Sequence, residues 1–228
     1  MRFDGVMART PSHDVLPAPL VSFSGVGVVR DDSVLLLEAT GSASEGEVLV
    51  LTGANGSGKT TLLKVLAGLL EPTAGTIRIG GRRPDDRDRA FRTDLAALIG
   101  PPQTARDLTV LEHLQFIGAT WGTGARRAKE DGRALLDELG ITHLGGRFPH
   151  ELSSGQSQLV ALALTLARPS RVLLLDEPEQ RLDPERLDLV IGAVRARTRA
   201  GTAVVLASHS PHLVDELADV RLHLEEQA

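Results

Sequence analysis

The sequence has no cysteine and no tyrosine, and aromatic residues fill only 3% of its 228 positions. Without cysteine the chain has neither a disulfide framework nor a thiolate metal site, which fits a reducing cytosol. Long hydrophobic runs are also missing. A membrane-spanning helix needs about 18 or more consecutive apolar residues, so we expect none, and any membrane role must come through a partner.

An excess of positive charge is absent as well. The formal net charge is −5, so there is no general basic field for nucleic acid, and no nucleic-acid partner is expected. Residues 1–20 contain three prolines and lack the apolar core of a signal peptide. We therefore predict a loosely ordered tail over 1–20, followed by one cytoplasmic domain over 21–228.

The sequence does contain a regular alternation of strand and helix patterns. Short apolar segments such as VLVL, RVLLLD and TAVVLAS predict strands that are buried on both faces. Three helical patterns follow one another between about residues 101 and 167. We predict an α/β fold with a mostly parallel sheet, a β-rich antiparallel part at the N-terminus and an inserted helical lobe over 101–167. In the helix after VLVL, the residues expected on the buried face are Leu62, Val65, Leu66 and Leu69.

Residues 53–60, GANGSGKT, match the phosphate-loop pattern G-x-x-x-x-G-K-[ST] between a predicted strand and a predicted helix. Gly53, Gly56 and Gly58 permit a tight turn whose N–H groups point at an anion, and the following helix adds its positive dipole end. Lys59 can reach the β- and γ-phosphates, and the Thr60 hydroxyl can ligate Mg²⁺. A glycine-rich turn without a ligand is the alternative. Four matching residues in this context favour a phosphate-loop nucleoside triphosphatase core.

Two carboxylates follow the apolar strand in RVLLLDEP, residues 171–178. In an open parallel sheet, ligands bind at the carboxyl ends of strands. Asp176 is therefore the expected carboxylate of the Mg²⁺ shell, and Glu177 can take a proton from an attacking water. An acidic strand end that only begins a turn is the alternative, but the phosphate loop favours the functional interpretation.

The segment ELSSGQSQ, residues 151–158, precedes the apolar run LVALALTLA. Ser153 and Gln156 have the spacing of a capping box, so a helix should begin here. Gly155 leaves the first turn of that helix with almost no side chain. Glycine is unfavourable inside a helix unless something must approach the backbone closely. The sequence therefore predicts a close neighbour at Gly155.

Taken together, these motifs resemble the nucleotide-binding domains of ABC (ATP-binding cassette) proteins. The resemblance covers about residues 21–223, and its most specific element is LSSGQ. It also includes Gln103 in IGPPQ, Asp183 in RLD and His209 in LASH, each of which would be unremarkable alone. In that family two domains pair head to tail, and the LSSGQ helix start closes over the γ-phosphate held by the other subunit.

The resemblance assigns roles to individual residues. Gln103 would complete the Mg²⁺ shell with Thr60 and Asp176, Asp183 would lie at the dimer interface, and His209 would contact the γ-phosphate and support Glu177. The candidate catalytic residues are Glu177, His209 and Lys59. The candidate residues for binding ATP are Arg30, Gly53, Ala54, Asn55, Gly56, Ser57, Gly58, Lys59, Thr60, Thr61, Gln103, Ser153, Ser154, Gly155 and Gln156.

The chain departs from the family pattern in several places. Ser154 stands where the family usually has glycine, and residues 157–159, SQL, replace an arginine-rich turn. Residues 179–181, EQR, replace small residues, and their bulk is expected at the dimer seam. Arg30 occupies the position where the family stacks an aromatic ring on adenine. We expect its planar guanidinium to stack on the base, with a solvated loop residue as the alternative.

Three functions remain open from the sequence. The first is the ATP-hydrolysing motor subunit of an ABC transporter, at the inner face of the membrane through a separate permease, in a homodimer or a heterodimer. The second is a soluble ABC ATPase of the repair or translation type, which usually carries coiled-coil insertions that this chain lacks. The third is a weakly hydrolysing partner in a heterodimeric transporter.

Overall fold

The computed structural model describes residues 18–225. Most of the predicted N-terminal tail, residues 1–17, lies outside the described residues. The strands are β1 (Val21–Arg30), β2 (Ser33–Ala43), β3 (Val48–Thr52), β4 (Ala74–Ile79), β5 (Leu95–Leu98), β6 (Val172–Asp176), β7 (Ala203–Ala207) and β8 (Val220–His223). The α-helices are α1 (Lys59–Leu66), α2 (Arg89–Asp94), α3 (Val110–Thr120), α4 (Ala125–Glu138), α5 (Ser154–Leu166), α6 (Pro184–Arg199) and α7 (Pro211–Leu217).

The central sheet has five strands in the order β5-β6-β7-β3-β8, and every pairing in it is parallel. Successive side chains of a strand point to opposite faces. Accordingly, Leu173 and Leu175 of β6 join one apolar cluster with the helices, while Val172 and Leu174 join the other. Both faces are therefore buried, as the continuous apolar strand patterns predicted.

A second sheet is antiparallel and has the order β2-β1-β4. β1 and β2 form a hairpin in which Arg30 pairs with Ser33. Asp31 and Asp32 form the two-residue turn with φ angles of 48° and 61°. Aspartate tolerates this left-handed region, which the favoured type of two-residue hairpin turn requires at both positions. The predicted antiparallel N-terminal part of the α/β fold is thus confirmed.

Three α-helices, α3, α4 and α5, lie between β5 and β6, as predicted. Their apolar faces pack in one cluster with one face of the parallel sheet. This cluster contains Leu114 of α3, Leu136 of α4 and Leu206 of β7. The prediction that Leu69 lies on the buried face of α1 is wrong. Helix α1 ends at Leu66, Gly68 turns the chain with a φ of 73°, and Leu69 is 57% exposed.

No helix within residues 18–225 is long and apolar enough to cross a lipid bilayer.

Candidate functional site

The strand order of the parallel sheet brings three chain segments to one edge. Strands β6, β7 and β3 are consecutive neighbours. Their carboxyl ends lead into the acidic pair, into residues 208–210 and into the phosphate loop at residues 53–60. Since ligands of open α/β sheets bind at this edge, the fold places the sequence-predicted chemistry where a ligand is expected.

The phosphate loop has the backbone that its glycines permit. Gly53 and Gly58 have φ angles of 139° and 94°, in a backbone region that residues with a Cβ rarely adopt. A Cβ on Gly58 would also lie 2.9 Å from the carbonyl oxygen of Leu35 in β2. Gly58 is the N-cap of α1 and no side chain caps this helix, so first-turn N–H groups remain available to an anion. The Ser57 hydroxyl is buried and has no hydrogen-bond partner among the described residues.

Lys59 is buried and folds back over the loop. Its ammonium donates to the carbonyl oxygens of Gly53, at 2.9 Å, and Ala54, at 2.8 Å. Burial lowers the pKa of Lys59, and the negative charges of Glu177 and Asp176 act in the opposite direction. The ammonium therefore lies inside the turn that would surround a phosphate.

Thr60 and Asp176 connect the phosphate loop to the acidic pair. The Thr60 hydroxyl donates to Oδ2 of Asp176 over 2.8 Å. Burial raises the pKa of Asp176 above its ordinary value, as does the charge of Glu177, while the Thr60 hydrogen bond and the charge of Lys59 lower it. The other carboxylate oxygen, Oδ1, is buried and has no partner among the described residues. A hard cation would satisfy this oxygen.

Glu177 lies beside His209 at the ends of β6 and β7. Nε2 of His209 is 3.3 Å from Oε1 of Glu177, and their side chains are 42% and 32% exposed. Gln180 donates from Nε2 to the other Glu177 oxygen, Oε2, over 3.1 Å. Glu177 has a φ of 48°, which turns the chain sharply after the strand. The predicted pairing of Glu177 with His209 is present in the geometry, whereas Gln180 is an additional contact.

The capping box predicted at the start of α5 is confirmed. The hydroxyl of Ser153 accepts from the N–H of Gln156 over 3.4 Å, and Gln156 Oε1 accepts from the N–H of Ser153 over 2.9 Å. Gly155 is buried against its own chain, because a Cβ there would lie 2.8 Å from the carbonyl oxygen of Arg181. Part of the reason for glycine at this position is therefore a backbone neighbour within the same chain. Ser153 and Ser154 remain exposed.

A cleft of about 510 Å³ joins these segments. Thr60, Asp176 and Glu177 line one part of it, and Ser154, Ser157 and Gln180 line another. Pro101 and Pro102 also border the cleft, but the neighbouring Gln103 is exposed and not among its lining residues. The structure thus brings the loop of Gln103 to the site without placing its side chain there.

Arg30 is exposed at the end of β1. It borders a different cavity, which Gly68 and Asp86 also line. The structure does not bring Arg30 together with Thr60 and the acidic pair in the cleft. Its contact with a nucleotide base stays a prediction.

Besides Gln180, two side chains at the site were not assigned a role from the sequence. Gln158 donates from Nε2 to the carbonyl oxygens of Glu177, at 3.1 Å, and Pro178, at 3.3 Å. Glu179 accepts hydrogen bonds from the loop that follows β7, including one from the hydroxyl of Ser208. No local pattern reveals these contacts, although the departures from the family pattern at residues 157–159 and 179–181 marked the segments.

These features define a phosphate-loop nucleotide-binding protein. A family model described as "ABC transporter" matches residues 36–180. A protein of Brucella suis biovar 1 (strain 1330), named as an ABC transporter ATP-binding protein, is 37% identical over 204 residues, covering 88% of this chain and 84% of its own. The cytochrome c biogenesis ATP-binding export protein CcmA of Xanthomonas campestris pv. campestris (strain 8004) is 34% identical, covering 92% and 96%. The chain belongs to the ABC transporter family and spans one ATP-binding cassette.

Solved structures agree with the fold. A structure of the ATP-binding subunit of an ABC transporter matches with a TM-score of 0.81 at 25% identity, over 92% of this chain and 88% of that one. A dimeric bacterial ABC transporter cassette matches with a TM-score of 0.79 at 22% identity, over 90% and 94%.

Proposed function

We propose that this subunit hydrolyses ATP with Mg²⁺ and drives a separate membrane permease as part of a head-to-tail pair of cassettes. The observation that carries this proposal is the convergence of Thr60, Asp176, Glu177 and His209 at the carboxyl edge of the parallel sheet. A domain that only bound nucleotide would need the phosphate loop, but it would not need a carboxylate and an imidazole beside the same cleft.

Thr60 and Asp176 are the residues that would hold Mg²⁺. The unpartnered Oδ1 of Asp176 and the Thr60 hydroxyl are oxygen ligands of the kind that this ion prefers. Within residues 18–225 no group of three or more His, Asp or Glu side chains could hold a metal ion by itself. The remaining ligands would therefore be phosphate oxygens and water, and bound Mg²⁺ would neutralise charge on the β- and γ-phosphates. Gln103 stays a candidate ligand.

Glu177 is the proposed general base. Its carboxylate takes a proton from a water molecule as the water oxygen bonds to the γ-phosphorus, and the bond between that phosphorus and the bridging oxygen breaks to release ADP. His209, at 3.3 Å, donates to the carboxylate or to a phosphate oxygen and keeps Glu177 oriented. Lys59 and the N–H groups at the start of α1 hold the negative charge of the phosphates.

The exposed start of α5 is the proposed contact with the second cassette. Ser153, Ser154 and the N–H groups of the first turn form an anion site that can close over the γ-phosphate of the partner. Asp183 already caps α6 by accepting from the N–H of Arg186 over 2.9 Å, so a role at the interface would come in addition.

The helical lobe over 101–167 is the proposed contact with the permease, through residues 106–109 and the helix that follows. Phe116 in α3 is 62% exposed, so its apolar ring is available to a protein partner. Trp121 at the end of α3 already packs under the guanidinium of Arg168, 5.5 Å from the ring centroid. Phe116 is thus the more available anchor. Through this contact the subunit would lie at the inner face of the membrane.

ATPase measurements on the purified chain, with and without its permease in lipid, test the proposal. We expect low Mg²⁺-dependent turnover alone and a rise with the permease, because the membrane partner would hold two cassettes together while their charged nucleotides are desolvated. Full turnover without a permease would favour the soluble ABC ATPase. Turnover that stays low even with the permease would favour the weakly hydrolysing partner.

A further inference from the structure

Glu179 lies just after the acidic pair, in a segment where its bulk was expected at the dimer seam. Within the described chain its side chain contacts the loop that follows β7. Its Oε1 accepts hydrogen bonds from the hydroxyl of Ser208, from the N–H of His209 at 3.0 Å and from the N–H of Ser210 at 3.3 Å. Three donors from three consecutive residues thus converge on one carboxylate oxygen.

These hydrogen bonds hold the backbone on both sides of His209 in place. Ser208 is only 2% exposed, and its hydroxyl also accepts from the N–H of Ser210 over 3.0 Å. Ser210 in turn caps α7 by accepting from the N–H of Leu213. His209 therefore lies between two serines that are both fixed, and the Glu179 carboxylate holds the N–H of His209 itself. Hydrogen bonds to a charged acceptor are stronger than those between neutral groups.

The residue that follows Glu179 contacts Glu177, which forms the proposed catalytic pair with His209. Gln180 donates to Oε2 of Glu177, while His209 approaches Oε1 of the same carboxylate. Glu179 and Gln180 are adjacent in the chain, so one short turn contacts both the backbone of His209 and the side chain of Glu177. A change in the position of this turn would alter the distance between the base and the imidazole.

We infer that Glu179 is a positioning residue that holds the backbone of residues 208–210 so that the His209 imidazole stays beside Glu177. Glu179 touches neither nucleotide nor water in this role and acts only through His209. The inference rests on the proposed function for its catalytic consequence. The contact itself is independent of that function, and the two can be tested separately.

The first measurement is hydrogen exchange of the amides of His209 and Ser210 in nucleotide-free protein. Glu179→Ala should speed the exchange of the His209 amide about tenfold or more, because its charged acceptor is lost. The effect on the Ser210 amide should be smaller, because its N–H keeps the Ser208 hydroxyl as an acceptor. Glu179→Gln keeps a neutral oxygen acceptor, so its exchange should lie between that of Glu179→Ala and that of the wild type. Glu185→Ala, which removes an exposed carboxylate from the first turn of α6, is the matched control and should leave both amides unchanged.

The second measurement separates turnover from nucleotide affinity. Glu179→Ala should lower kcat about tenfold and leave the Kd for ATP within about twofold, and Glu179→Gln should restore most of the kcat. If Glu179→Ala does not fold, Ser208→Ala replaces it in this test. Ser208→Ala removes one of the three donors, so it should lower kcat by a smaller factor.

Unchanged exchange in Glu179→Ala would overturn the contact. Faster exchange with an unchanged kcat would overturn the positioning role. An equal loss in kcat for Glu179→Ala and Glu179→Gln would show that the negative charge, and not the holding of the loop, matters. Should the wild-type protein have no ATPase activity, the proposed function fails, and the exchange experiment still decides whether Glu179 holds the loop.

Discussion

The hydroxyl of Thr60 donates a hydrogen bond of 2.8 Å to Oδ2 of Asp176, although 116 positions separate the two residues along the chain. This contact joins the phosphate loop to the strand end that carries the acidic pair. Oδ1 of the same aspartate is buried and has no partner among the described residues. Asp176 therefore leaves a buried anionic oxygen for a ligand to satisfy, because an unpaired buried charge destabilises the protein.

Replacing Asp176 should have opposite effects on the empty and the loaded protein. Burial raises the pKa of Asp176, so its ionised form destabilises the empty fold above that pKa. Asp176→Asn should raise the melting temperature at neutral pH, and the advantage should shrink as the pH falls and the wild-type carboxyl takes up a proton. The further stabilisation that Mg²⁺ and ATP give the wild type should be lost in Asp176→Asn. A melting temperature that does not exceed the wild-type value at neutral pH would contradict this prediction.

The raised pKa also predicts how Mg²⁺ binding depends on pH. The carboxylate is the form that binds the metal, and it disappears as the pH falls through the pKa of Asp176. Mg²⁺-dependent ATP binding should therefore weaken on acidification at a pH above the ordinary aspartate range near ~4. Titrations at stepped pH with and without Mg²⁺ isolate the effect. An equal loss of affinity in both series would assign it to another group.

Lys59→Ala should weaken ATP binding by roughly 10- to 100-fold, the equivalent of about 1.5–3 kcal/mol for hydrogen bonds to a charged donor. The ammonium lies inside the loop, 2.9 Å and 2.8 Å from the carbonyl oxygens of Gly53 and Ala54, where it can face the β- and γ-phosphates. Lys64→Ala removes an exposed lysine from the same helix and is the matched control. Nucleotide titration measures both, and equal affinities would show that the phosphates bind elsewhere.

Glu177→Gln should retain ATP binding and lower turnover by about 10²-fold or more, since an amide accepts a hydrogen bond but not a proton at neutral pH. The ATP-bound pair of cassettes should then persist, and gel filtration with ATP and Mg²⁺ should show twice the monomer mass. Glu185→Gln, at an exposed position in α6, should behave like the wild type. Normal hydrolysis by Glu177→Gln would remove Glu177 from its role as the base.

The sign of the stability change in Gly155→Ala shows whether helix propensity or packing dominates at this position. In an open first turn, alanine would stabilise the helix by roughly 0.5–1 kcal/mol. Here its Cβ would lie 2.8 Å from the carbonyl oxygen of Arg181, so we expect destabilisation of about 1–3 kcal/mol. Gly192→Ala, in the middle of α6 with nothing within 4 Å of its Cβ, should stabilise instead. Thermal or urea unfolding compares the two, and a gain in stability at both positions would refute the contact.

Substitutions at Arg30 test its predicted stacking on adenine. If the guanidinium stacks, Arg30→Ala should weaken ATP binding several-fold, on the order of 1 kcal/mol, and Arg30→Tyr should restore it. Equal affinity in all three proteins would show that the base contacts other residues and that Arg30 is a solvated residue at the end of β1.

Much of the site could be predicted because its signals are local. The phosphate loop at residues 53–60 combines glycines, a lysine and a threonine within one turn, and the capping box at Ser153 and Gln156 needs only a spacing of three. Helix α1 shows the limit of such patterns. Leu69 continues the apolar spacing, yet the left-handed backbone at Gly68 ends the helical path before it.

The sequence by itself determined which strands are buried on both faces, where the phosphate loop and the acidic pair lie, and which family the chain resembles. Residue type and spacing carry that information. Only the tertiary structure decided that β7 lies between β6 and β3, which places His209 beside Glu177. It also decided that Glu179 faces residues 208–210 and that Arg181 lies against Gly155. These contacts depend on the path of the turn after β6, where Glu177 and Arg181 adopt positive φ angles of 48° and 66°. A backbone conformation that few residues favour is stabilised by the packing around it, and no local pattern encodes it.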